Sequence, residues 1–545
     1  MYNKTSPLIF TRFFFWAFFA FVLLGYSFVY KNRNRSLRAG FLFVASLFFY
    51  YKSSGFFFFI LLFSTFTDFF IGKLLYSSKN ELFRKSLVAV SVVVNLSLLA
   101  YFKYSYFLID SLNTLFGTDL QTVNYLAHLA NEATGTHFNV NQILLPVGIS
   151  FFTFQTISYS VDVYRRQTEP VKNIIDFGFY VSFFPQLVAG PIVRASGFVK
   201  QIYEDYKVTK VEFGWAIFMI LKGLIKKIFI GDYIAINFVD RVFSDPVTYS
   251  GFENLMALFG YSLQVYVDFS GYTDIAIGVA LLMGYRLPQN FNAPYKAKNV
   301  GDFWKRWHMS LSSWLKDYLY IPIGGNRSGS VFSYISLGLI LAIIVLLAGK
   351  LILVPVFALL VLIFALLSRI SPAVKRSIDT NINLMLTMLL GGLWHGASWQ
   401  FIIWGGLNGV GLVVYKFWRK ISPWEKRNNW LVNLWKIAIT FCFITFTRIF
   451  FRSESMEVVN GMMHQISSDF SFNIIPEIIV AYKWVFLVMF FGFIIHWLSE
   501  NWKEKIKNWF IGTPIWLKVV IAAIVVIFVY QSISSEMQPF IYFQF

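Results

Sequence analysis

Long apolar runs separated by short basic clusters dominate this chain. The first run extends from Leu8 to Tyr30, and many later ones reach the roughly 20 residues that a helical membrane crossing requires. They lack the alternation of polar and apolar residues that is typical of membrane β-barrel strands. The pattern therefore predicts an all-α integral membrane protein, a polytopic bundle of transmembrane helices.

The composition indicates the same class. Hydrophobic residues make up 57% of the 545 positions and charged residues only 14%, with a mean hydropathy of +0.59. The net charge is +19, but the basic residues fall in short clusters between apolar runs. The positive-inside rule explains such clusters better than nucleic-acid binding does. Cys442 is the only cysteine, which excludes an intrachain disulfide, and its apolar surroundings predict a buried position.

Charge also predicts which loops lie on which side of the membrane. Basic clusters such as 31–38 and 416–427 indicate cytoplasmic loops. Stretches without lysine or arginine, such as 104–164 and 453–482, indicate external ones. This scheme places both termini outside.

No internal repeat is visible, so a single membrane domain over residues 1–545 is the simplest organisation. Its first part, about 1–140, consists of N-terminal helices and an external Asn- and Thr-rich loop, and its core covers about 146–545.

One amphipathic stretch carries an unexpected histidine. DFWKRWHMSLSSWLKDYLYIPIGGNR, residues 302–327, predicts at 100° per residue a helix from Asp302 to about Tyr320. His308 lies in its apolar arc, beside Trp304 and Leu315. An ionisable ring in that arc is either a buried structural side chain with its hydrogen bonds satisfied or a residue that takes part in the function.

A second histidine lies inside a predicted hairpin. Residues 380–415 connect two basic clusters and must enter the membrane and return, although they are slightly fewer than the roughly 40 residues that two crossings need. His395 is near the middle, among glycines, and is therefore expected at or near the turn of a hairpin or re-entrant element. A polar ring at membrane depth suggests a functional role. The alternative is a structural histidine that is hydrogen-bonded to a helix carbonyl.

Other polar residues have weaker claims. Asp268 shares a helical face with Gln264 and Gly271, and the sequence leaves open whether it lines a cavity or pairs with a neighbouring lysine or arginine. The remaining histidines show no partner spacing, and we assign no role to His128, His137, His464 or His496.

Several familiar catalytic motifs are missing from the sequence. It contains no Walker-type phosphate loop, no G-x-S-x-G elbow and no HExxH. Two buried histidines without an evident nucleophile favour direct transfer between two bound substrates, with a histidine as general base.

Six ordered motifs resemble those of the membrane-bound O-acyltransferase family, above all its bacterial polysaccharide O-acetylation branch. They are FFPQLVAGPIVR (183–194), DFSGYTDIAIG (268–278), NFNAPY (290–295), FWKRWHMSLSSWLKDYLYIPIGGNR (303–327), GGLWHGASW (391–399) and PFIYFQF (539–545).

The resemblance implies about eleven crossings, with re-entrant and amphipathic helices, around a central tunnel in the inner membrane. An acyl thioester donor, acetyl-CoA or an acyl carrier, arrives from the cytoplasm without any bound cofactor or metal. The acyl group, acetyl by resemblance, passes to a hydroxyl of a cell-envelope or secreted glycan, or of an extracytoplasmic partner protein. Membrane lipid surrounds the protein, and no nucleic acid is involved.

The resemblance also implies residue roles. His395 corresponds to the catalytic histidine, and His308 faces it to orient a substrate or polarise the thioester carbonyl. Candidate substrate contacts are Trp304, Lys305, Arg306, Trp307, Lys316, Asp317, Asp268, Trp394 and Trp399.

Three other functions are weighed against this one. A transporter or channel for a glycan or lipid intermediate would use the histidines to gate a polar path, whereas an inactive scaffold would not need them. D-alanyl transfer to an envelope polymer uses the same two-histidine arrangement.

Overall fold

The computed structural model describes residues 8–31, 35–135, 137–187, 190–204 and 207–531, apart from the side chains of Lys31 and Leu347. Within these ranges every regular element is a helix, which confirms the all-α class. The terminal motif 539–545 and both chain ends, predicted to be external, lie outside the described residues.

The described helices are numbered in chain order. Those up to the long helix that ends at Leu282 are α1 Phe13–Lys31, α2 Arg35–Ser54, α3 Phe58–Ser77, α4 Glu81–Leu99, α5 Ser105–Phe116, α6 Tyr125–Thr134, α7 Ile149–Tyr164, α8 Ile174–Ser182, α9 Phe184–Leu187, α10 Ala195–Ile202, α11 Lys210–Leu224, α12 Asp240–Ser244 and α13 Gly251–Leu282.

The later ones are α14 Val300–Trp304, α15 Met309–Leu315, α16 Val331–Ala348, α17 Leu353–Ile370, α18 Pro372–His395, α19 Trp399–Ile421, α20 Trp430–Arg452, α21 Met456–Ser468, α22 Ile475–Ala481, α23 Lys483–Trp497, α24 Glu500–Gly512 and α25 Ile515–Gln531. Segments of π-helix are Ala100–Tyr104, Ile225–Asp232, Ala235–Val239 and Lys316–Tyr320.

Many of these helices suit a membrane. Seven in the described part are long and apolar enough to cross one, or up to nine if two sharply bent pairs each form one span. The chain is therefore a multi-pass membrane protein, but these lengths do not confirm the expected count of about eleven crossings.

Helix α13 forms the centre of the bundle. In its most apolar 18-residue window 94% of the residues are buried, whereas none are in the corresponding window of α17. A buried ion pair joins α13 to the preceding π-helix, with Lys227 Nζ 2.5 Å from Asp268 Oδ1 and 2.6 Å from Asp232 Oδ1. Helix α17 thus belongs to the lipid-facing periphery, and α13 positions the elements around the histidines.

The prediction of one continuous amphipathic helix from Asp302 to Tyr320 is wrong. Helix α14 ends at Trp304, and α15 begins only at Met309. Between them His308 adopts a left-handed backbone conformation, with φ 43° and ψ 56°. The break is stabilised by contacts with residues 290–292, distant in sequence, which a helical periodicity cannot reveal.

The predicted hairpin exists, and its two helices extend beyond the predicted residues 380–415 at both ends. Helices α18 and α19 pack against each other, and the turn between them, residues 396–398, directly follows His395. Gly392 and Gly405 allow the close approach of the two helices. A Cβ on Gly392, for example, would lie 2.3 Å from the carbonyl oxygen of Phe401. The position of His395 at the turn agrees with the sequence prediction.

Three smaller predictions also need correction. Cys442 is exposed on α20, because a helix that faces lipid is as apolar outside as inside. His128 lies on α6 within the predicted loop, 3.4 Å from Glu132. His496 is buried, and its Nε2 accepts a hydrogen bond of 3.2 Å from the backbone N–H of Tyr295.

We expect Gly405→Ala to destabilise the hairpin. A Cβ at Gly405 would lie 2.3 Å from the carbonyl oxygen of Met388 on the facing helix, so the two helices must move apart. Such overpacking costs about 1–3 kcal/mol, which thermal unfolding of the detergent-purified protein would register as a lower midpoint. Gly338→Ala on α16 is the control, because its Cβ would meet nothing within 4 Å. Equal midpoints for both variants would contradict the close packing.

Candidate functional site

His395 is the last residue of α18 and lies in an aromatic cage. Its exposed fraction is 2%. Its ring centroid is 5.1 Å from those of Trp394 and Trp404 and 5.4 Å from that of Phe451. Three helices, α18, α19 and α20, therefore converge on this imidazole.

His308 is held at the start of α15 by Asn290 of the NFNAPY motif. The Asn290 side-chain Oδ1 accepts hydrogen bonds from the backbone N–H of Ser310 (3.0 Å) and from its hydroxyl (2.9 Å), and it is 3.3 Å from His308 Nδ1. The Asn290 carbonyl accepts from the backbone N–H of Met309 at 2.9 Å. A single asparagine thus fixes both the backbone break and the ring, and left-handed backbone at a bulky residue persists only when its surroundings enforce it.

The structure brings the two histidines together. Their ring centroids are 6.4 Å apart, although 87 positions separate them along the chain. The indole of Trp394 lies beside both, with its centroid 6.0 Å from that of His308, and the ring centroid of Phe269 is 4.7 Å from that of His308. The separation of the two histidines is too long for a direct hydrogen bond between the rings.

A row of aromatic rings leads from this pair toward a charged cluster. From Trp394 it continues to Phe154 at 5.3 Å, then to Trp314 at 3.7 Å and Tyr318 at 5.2 Å. At the far end Arg194 forms an ion pair of 2.6 Å with Asp317. The site is therefore apolar in its interior and charged at one end.

The end of α18 is capped by the N-terminal part of the chain. Lys103 Nζ donates to the carbonyl oxygens of Trp394 (2.8 Å) and His395 (3.0 Å). The neighbouring Tyr104 hydroxyl donates to the carbonyl of Leu393 at 2.8 Å. Three carbonyls that the end of a helix would leave without partners are thus satisfied, and a cation there favours the helix dipole. Both donors lie in a π-helical segment, a type of irregularity frequent at functional sites.

Several predicted substrate contacts lie in this region. Trp394 contacts both histidines, Trp307 is buried beside His308, and the half-buried Trp304 meets the ring of Trp404 at 5.7 Å. Their predicted role in substrate binding stays a prediction.

The other predicted contacts lie elsewhere. Asp268 forms the ion pair with Lys227, and Asp317 pairs with Arg194 at the far end of the aromatic row. Lys305 and Lys316 are exposed. Two more have partners of their own, since Arg306 pairs with Asp302 at 2.8 Å and the ring of Trp399 meets that of Phe107 at 5.3 Å.

In the described part of the chain no group of three or more His, Cys, Asp or Glu side chains is arranged to hold a metal ion. The polar neighbours that His308 contacts, Asn290 and Ser310, are uncharged.

Sequence reasoning missed four residues of this region. Asn290 stands in a motif without an assigned role, and Lys103 and Arg448 are single cations within apolar runs. A cation in such a run is a signal that could have been used, because it must find a partner inside the protein. Phe451, which contacts His395, has no distinguishing signal among 64 phenylalanines.

Comparison with known proteins gives a consistent result. The profile of the membrane-bound O-acyltransferase family matches residues 140–366. A probable alginate O-acetylase of Azotobacter vinelandii is 37% identical over 377 residues, which cover 68% of this chain and 60% of that protein's length. A second probable alginate O-acetylase, from Pseudomonas putida, is 32% identical and covers 84% of both chains. A peptidoglycan O-acetyltransferase of Helicobacter pylori is 30% identical over 83% of this chain and 79% of its own.

We expect Asn290→Ala to loosen the His308 turn. The change removes the acceptor for two Ser310 donors and leaves them buried, a loss of about 1–3 kcal/mol for each unsatisfied group. Thermal unfolding should show a lower midpoint, and hydrogen exchange of the amides in residues 305–315 should accelerate. Asn292→Ala is the matched control in the same motif, because its side chain is exposed. Unchanged exchange in Asn290→Ala would contradict the role given to Asn290.

We expect Lys103→Met to free the end of α18. Without the ammonium group the carbonyls of residues 394 and 395 lose their donor, so amide exchange should accelerate in residues 391–399 and the unfolding midpoint should fall. Lys79→Met, at an exposed position, is the control. Local exchange at the wild-type rate would rule out the cap.

Proposed function

The chain belongs to the membrane-bound O-acyltransferase family, and on that premise we propose that it transfers an acyl group, acetyl first of all, from a thioester donor to a hydroxyl group. The donor is acetyl-CoA or an acylated carrier on the cytoplasmic side. The acceptor is an extracytoplasmic glycan, or a partner protein that completes the transfer to it.

One observation carries this proposal. Two histidines from separate motifs lie 6.4 Å apart in a buried aromatic pocket, and each is positioned by contacts with a distant segment. Two imidazoles held in this way are suited to proton transfer between bound substrates, because their unperturbed pKa lies near working pH.

The reaction needs only a base and a place for the developing negative charge. His395 accepts the proton of the acceptor hydroxyl while the oxygen attacks the thioester carbonyl. The tetrahedral intermediate then breaks its carbon–sulfur bond, and the proton passes from His395 to the departing thiolate. An ester and a free thiol result, with atoms and charges balanced.

His308 serves the other substrate. Its ring centroid is 6.4 Å from that of His395, and it would orient the thioester carbonyl toward the attacking hydroxyl. The aromatic walls exclude water, which would otherwise compete with the acceptor for the thioester.

The identity of the substrates is proposed from the relatives. Their names speak of O-acetylation of alginate and of peptidoglycan, and we transfer only what these share, an acetyl group and a glycan outside the cytoplasm. The exposed Lys305 and Lys316 are proposed to attract an anionic donor, and the inner membrane is the proposed location.

We expect His395→Ala to lower acyl transfer by at least about 100-fold, the usual contribution of a positioned general base. Membrane vesicles with labelled acetyl-CoA would be compared for label in glycan and in protein. His308→Ala should cause a severe but smaller loss, because it removes positioning and leaves the base.

Two other histidines are controls for this experiment. His464→Ala removes an exposed ring, and His496→Ala removes a buried ring that is not beside the pair. Full labelling in folded His395→Ala would refute the catalytic role. A transporter would be favoured instead if His395→Ala abolished glycan export and the wild type showed no labelling.

A further inference from the structure

Helix α24 carries an apolar stripe that the rest of the bundle leaves uncovered. Trp502, Ile506 and Trp509 recur at the i, i+4 and i+7 spacing of one helical face. Their exposed fractions are 60%, 46% and 61%. Phe510, by contrast, is buried, and its ring centroid is 5.7 Å from that of Phe218 on α11. The helix therefore packs on the bundle with one face and presents a second apolar face outward.

A fixed bend separates α24 from the apolar helix that follows it. The chain bends by 119° between α24 and α25. Lys518, which is buried near the start of α25, stabilises this bend, because its Nζ donates to the carbonyl oxygens of Ile511 (2.9 Å) and Thr513. Helix α25 is predominantly apolar and mostly exposed, as a helix surrounded by lipid is. A helix bent by 119° from a membrane-crossing one lies nearer the membrane plane than the membrane normal, so α24 has the orientation of an interfacial helix.

Lysines line the seam between α24 and α11. A Cβ on Gly214 would lie 3.3 Å from the Cα atom of Ile511, so the two helices approach each other closely. Lys222 lies two turns beyond Gly214 on α11, and Lys507 lies one turn before Ile511 on α24. Their ammonium groups are close enough to repel each other. Cations from both helices therefore meet at this seam.

The lysines of this region outnumber the carboxylates that pair with them. Two carboxylates are each shared by two lysines. The four ion pairs are Lys222–Asp274 (3.2 Å), Lys226–Asp274 (2.8 Å), Lys503–Glu500 (3.0 Å) and Lys296–Glu500 (3.6 Å). Within α24 Lys507 also pairs with Glu504, while the exposed Lys505 has its Nζ 5.4 Å from the ring centroid of Trp502. Among the described residues these six lysines have three carboxylate partners, so a net positive charge remains.

We propose that α24 and the adjoining part of α11 form a docking surface for anionic phospholipid. The lysines of the seam and of α24 would bind the phosphate of the headgroup, and the apolar stripe of α24 would lie against the acyl chains. Basic segments beside a membrane attract anionic lipid, and tryptophan is enriched at the membrane interface. Lipid binding at this surface does not depend on the reaction at the histidine pair.

The combination of charge and apolar area favours a lipid over a soluble anion. A soluble phosphate ester needs the lysines only and gives no reason for an outward stripe of two tryptophans and an isoleucine. The basic residues of 503–507 also predict the cytoplasmic side of the membrane, where anionic lipids attract basic segments. Phospholipid supplies both the negative headgroup and the apolar chains.

Competition between two lipids would test the charge preference. Native mass spectrometry of the detergent-purified full chain would measure retention of dioleoylphosphatidylglycerol against dioleoylphosphatidylcholine. We expect the wild type to prefer phosphatidylglycerol at least about tenfold, because each lysine near an anionic lipid surface contributes about fivefold. The triple variant Lys503→Gln, Lys505→Gln, Lys507→Gln should lower this preference at least about fivefold.

Two further variants separate this surface from general electrostatics and from misfolding. Lys73→Gln, Lys79→Gln, Lys85→Gln removes three exposed lysines elsewhere, with the same change in net charge, and should keep the wild-type preference. Lys505→Gln alone changes one exposed side chain, so the fold should survive even if the triple variant unfolds. It should lower the preference about fivefold.

The depth of α24 would be measured independently in phosphatidylglycerol nanodiscs. A nitroxide would be attached to Ile506→Cys or to Asn508→Cys in a Cys442→Ala background, since these two positions lie on nearly opposite sides of the helix. We expect the label at 506 to be reached by oxygen and shielded from a water-soluble nickel complex. The label at 508 should show the reverse.

Four outcomes would overturn the proposal. They are equal retention of both lipids by the wild type, an unchanged preference in the folded α24 lysine variants, equal access of the nickel complex to both labels, and binding of soluble glycerol phosphate as strong as that of the intact lipid. The last would assign the lysines to a soluble anion. A preference lost equally in the control triple variant would show general electrostatics and would count against a specific surface as well.

Discussion

A polar group inside this bundle must find its partner within the protein, because lipid offers none. The functional region is arranged around that constraint. The carbonyls at the end of α18 would be left open at the hairpin turn, and Lys103 and Tyr104 satisfy them from a segment almost 300 residues away. The catalytic candidate His395 is therefore held in place by the N-terminal helices as much as by its own hairpin.

The same constraint explains the break before α15. The backbone N–H groups of Met309 and Ser310 bond to Asn290 instead of to residues four positions earlier, and the Asn290 side chain also contacts the His308 ring. The two histidines are thus positioned by different means, one by a capped helix end and the other by an asparagine-bound turn.

Buried carboxylates of this bundle have partners inside the protein. The buried carboxylate Asp68 receives hydrogen bonds from Ser91, Ser160 and Asn95, and Asp268 has Lys227. Such complete networks serve packing and specificity of the fold. Arg448 on α20 instead lies against aromatic rings, 4.4 Å from the ring centroid of Trp307 and 5.5 Å from that of Tyr295.

The sequence by itself determined the class of fold and the hairpin, and it singled out both histidines as candidates, because hydropathy, helical spacing and motif wording are local properties of the chain. It also placed His395 at the turn correctly. Tertiary structure alone decided the rest: that the two rings meet, that the helix through His308 is broken, and that Asp268 pairs with Lys227. It also decided that Lys103 reaches His395 and that Cys442 faces outward. These features depend on contacts between segments far apart in the chain, and in a membrane protein the apolar pattern does not tell a lipid-facing surface from a buried one.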